Sequence, residues 1–154
     1  MLNIALIYIV FTYANPVSMN NTAYNLLQNG EIKKAEKEFT KLIIIYPDFV
    51  TAYNNLGIVY LKLKKYKLAE KMFSHAIKVN NRYSKAYYNL ATTYFREKKY
   101  TKSIEILKKL YKIDKEYLKK RFKKQKAIKE IKEKLKEDPD NKVLIKSLKL
   151  LENH

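Results

Sequence analysis

The densest chemistry on the chain is cationic. Residues 119–126 read KKRFKKQK, so Lys119, Lys120, Arg121, Lys123, Lys124 and Lys126 put six positive charges in eight positions. A cluster of this kind could neutralise phosphates or carboxylates, and such binding falls steeply with salt. Three readings stand for it: the solvated outer face of a helix, a patch for an acidic protein or anionic lipid, and a nucleic-acid contact. The whole chain leans the same way, with 33 Lys+Arg against 15 Asp+Glu and a net charge of +18. Only Arg82, Arg96 and Arg121 are arginines, although the guanidinium is the better fork for phosphates and base edges. Lys, Asn, Ile and Tyr abound together, the signature of A- and T-rich codons. The lysines therefore do not by themselves demand a polyanion, and nucleic acid is the least favoured of the three.

Catalytic groups do not assemble. His75 and His154 are the two histidines and cysteine is absent. A lone internal His without Cys or paired carboxylates cannot complete a zinc site, and no Ser and Asp stand at triad-like positions around it. Glu36 with Glu38, and Glu130 with Glu133, lie among lysines at helical spacing, the pattern of ion pairing within a helix. With 2 Gly in the chain there is no Gly-rich phosphate loop. No catalytic, metal or cofactor residue is assigned, and the chain does not read as an enzyme. The 14 Tyr and 6 Phe could form a base-stacking platform, but Tyr53, Tyr60, Tyr87 and Tyr94 fall on packing positions instead.

Those positions come from an internal period of 34 residues. Ala35, Ala69 and Ser103 share one column, and so do Phe39, Phe73 and Leu107, and Leu42, Ala76 and Leu110. Ala23, Gly57 and Ala91 share another, as do Leu26, Tyr60 and Tyr94. Within a unit, Tyr53, Leu56, Gly57 and Tyr60, then Tyr66, Ala69, Phe73, Ala76 and Ile77, recur at helical spacing. Each unit is thus two amphipathic helices of about 13 residues joined by a three-residue turn. Gly30 supplies a left-handed residue in the first turn; Lys64 and Lys98 take its place in the next two, at some backbone strain. Pro47 ends the second helix of the first unit. The small residues mark close helix crossings that Tyr60, Phe73 and Tyr94 fill. One hairpin cannot bury its own apolar face, so the units must stack.

The segments AYNNLGIVYLKLKKYKLAEKMFSHAIKVNN at 52–81 and AYYNLATTYFREKKYTKSIEILKKLYKIDK at 86–115 resemble the tetratricopeptide repeat family. The resemblance implies an all-α, right-handed α-solenoid of three helix hairpins (16–49, 50–83 and 84–117) followed by C-terminal capping helices over 118–154. It also implies a non-enzymatic scaffold that holds a protein or peptide in a concave groove lined by the first helix of each unit. The lining positions would be Asn20, Tyr24 and Leu27, then Asn54, Ile58, Leu61 and Lys62, then Lys85, Tyr88, Thr92, Phe95 and Arg96. Tyr88 and Phe95 would be aromatics without a packing duty, a hot-spot composition beside Lys85 and Arg96. Cations and aromatics together point to an acidic or mixed apolar-acidic partner. Family members that grip a C-terminal carboxylate use Lys, Asn and Arg from three successive first helices. Asn55 and Lys85 match that set, but Asn20, Tyr24 and Asn89 stand at its other three positions, so a chaperone-tail clamp is not expected. The alternative function is polyanion binding, to nucleic acid or an anionic membrane, through 119–126.

Two ends lie outside the period. Residues 1–14, MLNIALIYIVFTYA, carry no charge. They are too short for an ordinary membrane span and lack the basic start of a secretory signal. A signal or anchor, an apolar helix docked on the first unit, and a start codon placed too late remain open. The first would put the protein at the cell envelope, with membrane contact there or at the basic helix; otherwise it is expected in the cytoplasm. After residue 117, Leu118, Phe122, Ile128, Ile131 and Leu135 offer one apolar stripe, so a helix of about 20 residues is expected to cap the last unit. Asp138 to Asn141 would end it, with Asp140 or Asn141 capping a final helix.

Overall fold

A computed structural model describes residues 15–121 and 124–152. The apolar segment 1–14, together with Phe122 and Lys123, lies outside the described residues. The described residues form nine helices and no strand. The first six alternate in length with the repeat: α1 (Pro16–Gln28), α3 (Val50–Lys62) and α5 (Ser84–Arg96) have 13 residues, and α2 (Ile32–Ile45), α4 (Tyr66–Val79) and α6 (Tyr100–Ile113) have 14. α7 (Lys115–Arg121), α8 (Lys124–Glu137) and α9 (Lys142–Glu152) follow. The capping helix expected over this segment runs through Phe122 and Lys123, which lie outside the described residues; the chain is helical on either side of them, in α7 and α8.

Local signals start and stop these helices. Asn15 accepts the Val17 N–H at 2.8 Å ahead of Pro16, so the first turn of α1 has a cap and a residue whose missing N–H costs nothing there. The three hairpin turns are copies of one Schellman closure. Glu31, Lys65 and Lys99 N–H groups each reach back to the carbonyl of Leu26, Tyr60 and Tyr94 at 2.9 Å, while Gly30, Lys64 and Lys98 bond the carbonyls of Leu27, Leu61 and Phe95. That closure needs a left-handed residue, and φ is +79° at Gly30, +57° at Lys64 and +60° at Lys98. A side chain held there costs about 1–2 kcal/mol, part of which Gly would return as lost chain entropy. Lys64→Gly and Lys98→Gly are therefore each expected to raise stability by about 0.5 kcal/mol, read as a higher urea midpoint with unchanged slope. A lower midpoint would mean that the lysine side chains stabilise the turn by other contacts.

Each hairpin packs α1 on α2, α3 on α4 and α5 on α6, and α2 and α4 then pack on the first helix of the next hairpin. The first helices also touch one another in series, α1 with α3 and α3 with α5, which makes an α-solenoid with α1, α3 and α5 lining one face. Its core follows the sequence columns: Ala23, Ala35, Phe39, Ala69, Phe73 and Ala76 have no exposed surface. Gly57 abuts the Phe73 ring so closely that a Cβ built on it would lie 2.5 Å from Phe73 Cε1. The last hairpin is thinner, since Leu107 is only half-buried where Phe39 and Phe73 are fully enclosed. Ser103 stands in the alanine column there and satisfies its buried hydroxyl by donating to the Ala91 carbonyl at 2.8 Å.

Polar side chains tie neighbouring hairpins together. Tyr94 donates to Glu70 Oε1 at 2.7 Å, and 34 residues earlier Tyr60 faces Glu36. Burial first, then the facing carboxylate, raises the pKa of both phenols. Lys65 approaches Glu36 to 3.8 Å and lies over the Tyr60 ring. Glu36 thus reaches across to the next hairpin rather than pairing within its own helix, whereas Glu38 does take the intrahelical partner, Lys41 at 2.8 Å.

α8 and α9 form a hairpin whose inner residues are Ala127, Ile131 and Leu144, and α9 touches α6. Asn141 caps α9 by accepting the Leu144 N–H at 3.0 Å.

Candidate functional site

The face lined by α1, α3 and α5 has a polar floor. Asn55 Nδ2 donates to Asn20 Oδ1 at 2.9 Å, Asn54 Nδ2 to Asn55 Oδ1 at 3.4 Å, and Asn89 Nδ2 to Asn54 Oδ1 at 2.9 Å. The ladder crosses all three helices, and both of its longer steps join residues 35 apart. One residue more than the period is what a contact between adjacent columns in successive units requires. Asn20, Asn54 and Asn55 are buried, where each unmade amide bond would cost about 1–3 kcal/mol. Two positions expected as open lining, Asn20 and Asn54, are thus part of a closed network. Leu27 and Leu61 are likewise buried in the core.

The other expected lining residues stand above that floor. Tyr24 is 41 % exposed; Ile58 and Thr92, one and two periods further on, are half-buried. Lys62 and Arg96, also one period apart, and Lys85 are exposed, and none of the three forms an ion pair among the described residues. The result is a stripe of apolar and hydroxyl groups edged by unspent cations.

Tyr88 and Phe95 do have structural partners. Phe95 meets Tyr100 edge to face at 5.4 Å. Tyr88 takes the place that Asn20 and Asn54 hold in earlier units, and α7 rises beside it. There Tyr117 lies 6.3 Å from the Tyr88 ring at 80°, and the Arg121 guanidinium carbon is 5.7 Å from the Tyr88 centroid and 5.5 Å from that of Tyr117. Burial raises the Tyr88 pKa, with the Arg121 charge opposing the rise. The repeat spacing could not show this, because Arg121 lies beyond the last unit.

The described cations of 119–126 differ in their surroundings. Lys119 pairs with Glu116 at 3.0 Å, Arg121 is held at the tyrosines, and Lys120 and Lys126 are exposed on different helices. Lys123 and the side chain of Lys124 lie outside what the structure describes. His75 is exposed and stacks on Tyr53 at 4.2 Å. Among the described residues no three His, Asp or Glu gather in metal-binding geometry, and no helix is long and apolar enough to cross a membrane.

Comparison with known proteins follows the same lines as the fold. Residues 50–83 match a sequence model described as Tetratricopeptide repeat, and residues 84–117 match a second with that description. Among solved structures, the second TPR of Spaghetti (RPAP3) bound to HSP90 peptide SRMEEVD is similar at 21 % identity and TM-score 0.62, covering 67 % of this chain and 95 % of that one. The TPR2B-domain:pHsp70-complex of yeast Sti1 is similar at 21 % identity and TM-score 0.62, covering 64 % and 79 %. The MamA RS-1 ArsTM double mutant gives 23 % identity and TM-score 0.64, covering 90 % and 76 %. No curated protein matches the chain.

Proposed function

Residues 50–117 make this chain a tetratricopeptide repeat protein, and from that premise we propose that it is a non-enzymatic scaffold holding a peptide segment of a partner protein against α1, α3 and α5. The observation that carries the reading is the stripe itself. Tyr24, Ile58 and Thr92 recur in one column beside exposed Lys62 and Arg96 in another. Apolar contact supplies the affinity of such a face, while unpaired cations at its edge select the sign of the partner. The partner is accordingly acidic or mixed apolar-acidic. Similar structures hold HSP90 and Hsp70 peptides, which supports a peptide as the occupant. Their mode of tail recognition does not carry over. Asn20, Tyr24 and Asn89 replace three of the five clamp residues, and the matching Asn55 spends its amide on Asn20 and Asn54.

A soluble peptide of alternating Glu and Phe tests this. Its affinity for Lys62→Glu/Arg96→Glu is expected to fall by about tenfold or more, as for a reversed rim charge pair, and to stay within about twofold for Lys120→Glu/Lys126→Glu. The opposite order would leave the alternative, polyanion binding through 119–126. A wild-type chain that ignores the peptide would refute the acidic-partner reading.

A further inference from the structure

Arg121 is held by one hydrogen bond and two aromatic rings. Asp114 begins the arrangement: its Oδ2 accepts the Ser84 hydroxyl at 2.8 Å and its Oδ1 accepts the Tyr117 N–H at 2.8 Å. These bonds hold its carboxyl below the usual range, the Tyr117 N–H being the larger cause. They also fasten the start of α7 to the start of α5. Tyr117 is thereby set edge to face with Tyr88, and Arg121, one turn later, donates Nε–H to the Tyr117 hydroxyl at 3.2 Å. The guanidinium rests in the corner between the two rings.

That arrangement uses Nε, and the two terminal amino groups donate no hydrogen bond among the described residues. Arg121 remains exposed and forms no ion pair among the described residues. Its neighbour on α5 is Tyr88, one turn from the equally unpaired Lys85. A planar fork held by aromatic faces is preorganised for a carboxylate, so little side-chain entropy is lost when two parallel hydrogen bonds form. Its position extends the stripe past the last repeat.

We infer that Arg121, oriented by Tyr88 and Tyr117 and assisted by Lys85, is a carboxylate-reading subsite at the α7 end of the groove, taking an Asp or Glu side chain or the C-terminal carboxylate of a bound acidic peptide. The inference rests on the peptide-groove reading above but uses a residue outside the repeats. It differs from simple charge attraction because Lys at 121 would keep the charge and lose the fork.

The experiment is titration of the full chain with the alternating Glu-Phe peptide, with free and with amidated C-terminus, monitored by calorimetry. Arg121→Lys is expected to weaken binding by about tenfold, with a change in melting temperature too small to matter, and Arg121→Ala by a similar factor. Loss on amidation would assign the peptide C-terminus as the occupant, and indifference to amidation would assign a side chain; both support a carboxylate subsite. If Arg121→Lys binds as the wild type does while Lys62→Glu/Arg96→Glu binds poorly, the subsite is refuted and the groove stands. If the wild type does not bind, both fall.

Discussion

Phe73→Ala is expected to lower the free energy of unfolding by about 3–5 kcal/mol, the range for removing a fully enclosed aromatic ring. Phe73 has no exposed surface and sits among Leu61, Ala69, Leu90 and Tyr94, with Tyr60, Tyr66 and Ile77 around them. Collapse into the vacated space would require two helix crossings to shift together, and Gly57 offers no side chain to swing in. A small domain is stable by about 5–15 kcal/mol in total, and three stacked hairpins are near the minimum for a stable array. The loss is therefore a large part of what holds the second hairpin. Lys71, two residues away and exposed, provides the control: Lys71→Ala should leave the denaturant midpoint where it is. Equal small effects at both positions would mean that the packing register is wrong.

The second large effect runs against intrinsic propensity. Gly57 lies inside α3, where Ala would ordinarily gain about 1 kcal/mol. Its added methyl would instead meet Phe73 Cε1 at 2.5 Å and Cδ1 and Cζ at 2.8 Å, and that ring is walled in on every side. Overpacking of this kind costs about 1–3 kcal/mol, with three contacts this short placing it at the upper end, so Gly57→Ala should destabilise by about 2 kcal/mol net. Because a smaller partner relieves the clash, Gly57→Ala combined with Phe73→Leu should cost less than the two single changes summed. Strict additivity in denaturant titrations would show that the ring moves freely and that the crossing is looser than its geometry.

The apolar part of this architecture is legible from the linear chain because burial acts column by column. Phe39 and Phe73, Ala35 and Ala69, and Leu42 and Ala76 are all enclosed as their spacing requires, and Lys64 and Lys98 take the left-handed turn position that Gly30 marks. Polar partners are a different matter. Asn20 with Asn54, and Asn55 with Asn89, form two adjacent columns that are visible in the sequence, yet Asn20 and Asn54 read there as groove lining. Only the stacking of α1, α3 and α5 brings each Asn within reach of the next unit's neighbouring column. Glu36 was equally visible among lysines, but its partners lie across the hairpin boundary in Tyr60 and Lys65. Tyr88 has its surroundings set by α7, which begins in the third unit and runs past it, so Arg121 has no counterpart in the repeat.

The contacts between hairpins have a further property. Asn20 with Asn55 is repeated by Asn54 with Asn89, and the facing of Tyr60 and Glu36 by Tyr94 with Glu70, so each contact couples a unit to its immediate neighbour and skips none. A second copy of residues 50–83 placed after the first would find a complementary edge on both sides. The molecule is in this sense modular masonry: its length is set by how many courses the chain encodes, and not by any bond that spans the whole.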